Sequence, residues 1–155
     1  MNVDLYERIW MWAATALIAM FLAAILIPAA ASAIHPASHV ETVDPTTLAD
    51  HPEFGTGGVR TNDDGSIVVS VAASMFSFTP DPIEVPAGTP ITFRLTSSDV
   101  IHGFQVVGTN VNVMVVPGYV SRTTVTFHTP GQYAIACHEY CGIFHHEMVG
   151  TLTVK

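Results

Sequence analysis

Positive charge is scarce in this sequence. Only five of its 155 residues are Lys or Arg, against thirteen Asp or Glu, for a formal net charge of −8. From residue 35 onward, four cations (Arg60, Arg94, Arg122 and Lys155) stand against eleven carboxylates, a net of −7. So few cations cannot neutralise a run of phosphates, which excludes nucleic acid as the partner. Internal repeats and low-complexity tracts are absent as well, which excludes solenoids and arrays. Cysteine is limited to Cys137 and Cys141, so at most one disulfide is available. The length leaves room for one compact domain plus an appendage.

Charge of either sign is missing from Ile9 to Ile34, and Met11 to Ile27 is almost wholly Ala, Leu, Ile, Met, Phe and Trp. A bilayer core of about 30 Å needs roughly 20 such residues in a helix, so residues 1–34 read as a single-pass transmembrane anchor. Trp10 and Trp12 lie near its start, where amphipathic rings favour the membrane interface. Ala31-Ser32-Ala33 resembles a signal-peptide cleavage site. Against cleavage, Asp4 and Glu7 offset Arg8, and the apolar core exceeds the roughly 7 to 15 residues of a signal peptide. With Arg8 the one basic residue near the helix and Glu41, Asp44, Asp50 and Glu53 after it, the bulk of the chain is expected on the extracytoplasmic side of the cell membrane.

Residues 35–65 are rich in Pro and Gly and follow neither a helical nor a strand period, which predicts a linker or an irregular cap. From residue 66 to 155, short runs of Val, Ile, Thr and Phe alternate with Pro/Gly punctuation. Seven strands are predicted, at 67–73, 91–96, 104–107, 111–116, 123–127, 132–136 and 149–154. The pattern is all-β, a sandwich. In one of the strands Ile91, Phe93 and Leu95 should face the core, and Thr92 and Arg94 the solvent.

The chemistry concentrates in Cys137-His138-Glu139-Tyr140-Cys141-Gly142-Ile143-Phe144-His145-His146-Glu147-Met148, a Cys-x3-Cys-x3-His-x2-Met array. Thiolate, imidazole and thioether together suit copper, whereas calcium and magnesium prefer oxygen and thioether is a poor zinc ligand. Taken alone, the two cysteines fit a disulfide as well as a metal site. With His145 and Met148 in place, and His102 upstream at a strand end, metal is the stronger reading. A one-copper blue site needs a single cysteine, so the second calls for another account: two thiolates could bridge two copper ions, each ion taking one histidine.

The array, together with Asp99-Val100-Ile101-His102, resembles subunit II of the heme-copper oxidases, and the likeness runs from Ser74 to Lys155. The resemblance implies a cupredoxin-like Greek-key sandwich carrying a binuclear copper centre, CuA. It further implies that Cys137 and Cys141 bridge both coppers, His102 and His145 bind one each, Met148 is axial, and the Glu139 carbonyl completes the set. Its implied partners are oxidase subunit I and an electron donor, a c-type cytochrome or a blue-copper protein; oxygen would be reduced in subunit I. A single span, and Met75-Phe76-Ser77-Phe78 where the mitochondrial type has Trp-Tyr-Trp, are similar to the short B-type oxidases. In that group a glutamate at the helix start is associated with proton uptake, and Glu7 matches it; the alternative is an interfacial charge. Magnesium at Glu139 is not assigned. His138 and His146 flank the expected ligands without the family spacing, His35, His39, His51 and His128 are expected in solvent, and Phe76 and Phe78 in the core. Two other classes fit less well: a copper-storage protein, expected to use open Met-rich or His-rich sites, and the electron-accepting module of a nitric oxide or nitrous oxide reductase.

Overall fold

The computed structural model describes residues 4–31 and 40–155, and the chain divides into two compact units, Met1–His39 and Val40–Lys155. Ser32 and Ala33 of the cleavage-like triplet, together with His35 and His39, lie outside the described residues. Helix α1 (Leu5–Ala31) forms because the run holds mainly good helix formers, with Glu7 favourably placed in its first turn. Its large apolar side chains are exposed along its length, and it is long and apolar enough to cross a membrane.

The second unit is a sandwich of ten strands: β1 (Gly58–Thr61), β2 (Ile67–Ser74), β3 (Ser77–Thr79), β4 (Ile83–Val85), β5 (Pro90–Ser97), β6 (His102–Val106), β7 (Asn112–Val115), β8 (Ser121–Thr126), β9 (Gly131–Ala136) and β10 (Val149–Val154). One sheet runs β1-β2-β5-β8 with β3 beside β2, and the other runs β4-β10-β9-β6-β7. The pairs β2/β5 and β4/β10 are parallel. Parallel neighbours cannot be joined by a hairpin, so the chain must cross between the sheets, giving the Greek-key wrap of a cupredoxin-like fold. Period-two alternation supplies the core: Val69, Val71, Ile91, Phe93 and Leu95 from one sheet meet Phe104, Val106, Ile135 and Leu152 from the other, none more than 1% exposed. At the centre Phe104 packs 5.4 Å from both Phe78 and Phe93, so Phe78 is a core residue as expected.

All seven predicted strands are present, with ends displaced by at most two residues. The other three, β1, β3 and β4, have only three or four residues each, too short for alternation to register. Residues 40–65, expected as a linker or an irregular cap, pack on the sandwich. Val43 N–H donates to Gly118 O at 3.2 Å, Val120 N–H donates to Glu41 O at 2.9 Å, Asp44 caps a 3-10 turn at Pro45–Asp50, and Leu48 and Phe54 are buried.

Arg94 also departs from expectation. Alternation turns it away from the core, but segment 41–54 lies across that face, and the side chain is only 12% exposed. Its guanidinium donates to Glu53 at 2.5 and 2.9 Å and to Glu41 at 2.5 and 2.9 Å, while Arg122 also reaches Glu41 at 2.7 Å. The Arg94 hydrogen bond is the main cause holding the Glu41 carboxyl down at about 2, from 4.5. A folded value below the unfolded one stabilises in full above about pH 4.5, and that stability is lost as pH falls through about 2. Because Glu41 is 41% exposed, solvent screening reduces this to about 1 kcal/mol. Arg94→Met would in addition strand Glu53, whose side chain is 17% exposed, at a cost of about 2 kcal/mol. Urea unfolding followed by circular dichroism should therefore give a lower midpoint for Arg94→Met at pH 7, and a smaller further loss between pH 4.5 and 2; equal curves for variant and parent would rule the clamp out.

Candidate metal centre

Strand β9 pairs with β10, Ala136 opposite Val149, so residues 137–148 form a loop whose base is closed by Cys137 N–H donating to Met148 O at 3.2 Å. Within the loop, His145 N–H donates to Gly142 O, Glu147 N–H to Phe144 O and Met148 N–H to His145 O, winding a short 3-10 turn that brings His145 and Met148 back toward the cysteines. Gly142 takes φ +139°, a conformation that favours glycine, and a Cβ there would press on the Phe76 ring at 3.0 Å. The β5–β6 turn lies beside this loop and brings His102, at the start of β6, into the cluster.

The donor atoms form a string. Cys137 Sγ is 3.9 Å from Cys141 Sγ. On the Cys137 side, His102 Nδ1 lies at 3.9 Å and the Glu139 carbonyl at 3.2 Å. On the Cys141 side, His145 Nδ1 lies at 3.5 Å and Met148 Sδ at 3.6 Å. His102 is fully buried, and Cys137, Cys141 and Met148 are at most 9% exposed. The structure thus brings Cys137, Cys141, His102, His145, Met148 and the backbone of Glu139 together. Glu7 stands apart in sequence, in the first turn of α1.

Both thiols are free. Burial, then the neighbouring Cys137, push the Cys141 thiol up to about 11, so without a cation it holds its proton, and a bound cation must expel it. Two sulfurs 3.9 Å apart are close enough to ligate one metal site together, with one imidazole nitrogen facing each sulfur. The donors are soft or borderline and the one oxygen is a carbonyl, a set that fits copper and suits neither calcium nor magnesium.

Sequence reasoning gave Asp99 no role, yet it is the hub of the β5–β6 turn. Its Oδ1 lies 2.7 Å from His102 Nε2 and accepts from Val100 N–H at 2.6 Å, and its Oδ2 accepts from Met75 N–H at 2.6 Å. Burial acts to raise the carboxyl, but the His102 ring and these two amides outweigh it and hold Asp99 below its usual value. Asp99 occupies Nε2 and so leaves Nδ1 to face the sulfurs. The signal in the sequence was an acid three places before a histidine at a strand start. Of the remaining histidines, His146 is exposed beside Glu147, His128 is exposed, and His51 is half-buried and not in solvent, its Nδ1 accepting from the Glu53 and Phe54 amides at 3.2 and 3.3 Å. Phe76 stands edge-on to Phe144 at 5.5 Å and covers Gly142.

Residues 67–154 match the family model described as cytochrome c oxidase subunit II, periplasmic domain. A cytochrome c oxidase subunit 2 from Thermus thermophilus is 42% identical over 97% of this chain and 92% of its own length. A second subunit 2 from that organism is 47% identical over 77% of this chain and 90% of its own. Among solved structures, a chain of a heme-copper terminal oxidase dimer matches at 30% identity with a TM-score of 0.61, covering 97% of this chain and 99% of that one. The periplasmic domain of cytochrome oxidase subunit II from Bradyrhizobium japonicum, at 21% identity and a TM-score of 0.53 over 57% of this chain and 83% of that one, shares the fold. A family match over more than half the chain, and a relative aligned nearly from end to end, agree with the sandwich and its sulfur-centred cluster: the chain belongs to the cytochrome c oxidase subunit II family.

Proposed function

We propose that this chain is the electron-accepting subunit of a membrane-bound heme-copper oxidase, holding a pair of copper ions, and that it takes electrons from a c-type cytochrome or blue-copper protein and delivers them to heme in subunit I. One observation carries the reading: two buried sulfurs 3.9 Å apart, each with its own imidazole nitrogen. Cys137 and Cys141 would be shared by both ions, His102 and His145 would take one each, and Met148 and the Glu139 carbonyl would be the weaker ligands. When bound, the copper pair supplies a one-electron redox couple.

The chain's own part is to hold these donors with little freedom. His102 and Cys137 lie at the ends of paired strands, the loop is closed by backbone hydrogen bonds, and Asp99 fixes the His102 ring. A preset frame limits rearrangement between oxidation states, and burial keeps water from the sulfurs. Tyr140 and Ile143, 79% and 77% exposed, with Phe144 beside them, give the loop an apolar crown that a donor protein would cover. Helix α1 would anchor the chain with the sandwich on the extracytoplasmic side, and Glu7 in its first turn would mark a proton-uptake entrance.

Metal analysis and electron paramagnetic resonance of the purified chain test this directly. Two coppers per chain, and hyperfine structure from one unpaired electron shared over both nuclei, are expected. A one-copper spectrum, or zinc as the bound metal, would sink the assignment.

A further inference from the structure

We infer that His138 is a positioning residue for the metal centre: its ring, laid on Gly103, holds the Gly103 N–H and the Glu139 carbonyl at Cys137 Sγ and so helps set the reduction potential. The inference rests on the reading of Cys137 as a metal ligand.

The register of β6 and β9 pairs Gln105 with Ala136 and Val106 with Ile135. Extended by two places, it sets Gly103 opposite His138. The contact there is very close, for a Cβ built on Gly103 would lie 2.4 to 2.5 Å from Cγ, Cδ2 and Nδ1 of the His138 ring. The imidazole therefore fills the volume any side chain at 103 would need, so glycine is demanded by space. Hydrogen bonding does not account for the ring's place, because His138 Nε2 is buried without a partner among the described residues and Nδ1 is 3.7 Å from Glu139 Oε1.

Three contacts meet at Cys137 Sγ on this side of the centre: Gly103 N–H at 3.5 Å, the Glu139 carbonyl at 3.2 Å and His102 Nδ1 at 3.9 Å. His138 is bonded to Cys137 on one side and Glu139 on the other, and its ring bears on the residue next to His102. It clips the strand that brings His102 to the strand end that brings Cys137. An N–H directed at a thiolate sulfur favours the state with more negative charge on that sulfur, which is the reduced centre. Without the clip, the N–H is free to drift from the sulfur, and the potential should fall.

The ring acts by shape, so His138→Phe should keep the parental potential and hyperfine pattern, while His138→Ala should lower the potential and alter the pattern. Gly103→Ala should cost stability and copper by collision, and His138→Ala in the same chain should restore much of both, because it vacates the space. Urea unfolding of the metal-free full-length chain reads this coupling without copper: the two changes together should destabilise by less than the sum of each alone. The inference is overturned if His138→Ala leaves potential and spectrum unchanged while the parent shows the shared-spin signal, if His138→Phe behaves like His138→Ala, or if the unfolding effects simply add. A parent chain without a shared-spin signal would overturn the function proposed above as well, which separates that failure from these.

Discussion

For the proposed copper pair, Cys137→Ser is expected to abolish the shared-spin signal and to lower electron transfer into the oxidase by more than about 100-fold, beyond the range seen when only an outer-sphere partner of a metal is lost. Cys137 Sγ touches His102 Nδ1, the Glu139 carbonyl, the Gly103 N–H and Cys141 Sγ, so four parts of the cluster depend on it. A serine hydroxyl fits the same space, but it is a hard donor that keeps its proton at neutral pH, and it cannot bridge two copper ions as a thiolate does. The fold should survive, because the change in volume is small and the surrounding core stays filled. Copper content, spin resonance and turnover of the assembled oxidase with a reduced donor read the effect, and circular dichroism reads the fold. A variant that kept two coppers with a delocalised spin would show that Cys137 is no bridge.

The candidate cluster was legible in the sequence to the extent that its members are local. Five of the six contributing residues fall between Cys137 and Met148, and only His102 comes from elsewhere. The sandwich was legible where strands are long enough for alternation to repeat, as at Ile91, Phe93 and Leu95, none above 1% exposed. What escaped notice depends on distance along the chain. Alternation turned Arg94 outward correctly, but its partners lie 41 and 53 positions away, at Glu53 and Glu41, and no local pattern says that another segment will cover an outward face. Asp99 was missed for a related reason: its place beside His102 is local, whereas its bond to Met75 N–H reaches back 24 positions and joins two turns into one support.

That support is the basis of the second large effect. Asp99→Ala should weaken copper binding by about 10- to 100-fold, the usual cost of losing a carboxylate that orients a metal-binding histidine. His102 is fully buried, and Asp99 Oδ1, 2.7 Å away, is the partner of its Nε2. With Nε2 tied to a carboxylate, Nδ1 is left free of its proton and faces Cys137; with the carboxylate gone, the ring can turn or change tautomer, and part of the binding energy goes into restoring it. The same change leaves the Met75 and Val100 amides without their acceptor, at about 1 to 3 kcal/mol of fold stability. Asp99→Asn separates the two losses. It keeps an acceptor of nearly the same shape, but one carboxylate oxygen becomes an NH2 that must face either His102 or the Met75 amide, so affinity should fall between parent and Asp99→Ala. Competition for Cu(I) against a chelator of known affinity, run beside urea unfolding of the metal-free chains, ranks the three. Binding within twofold of the parent in Asp99→Ala would mean that His102 is oriented by its strand alone, and that the carboxylate serves only the turn.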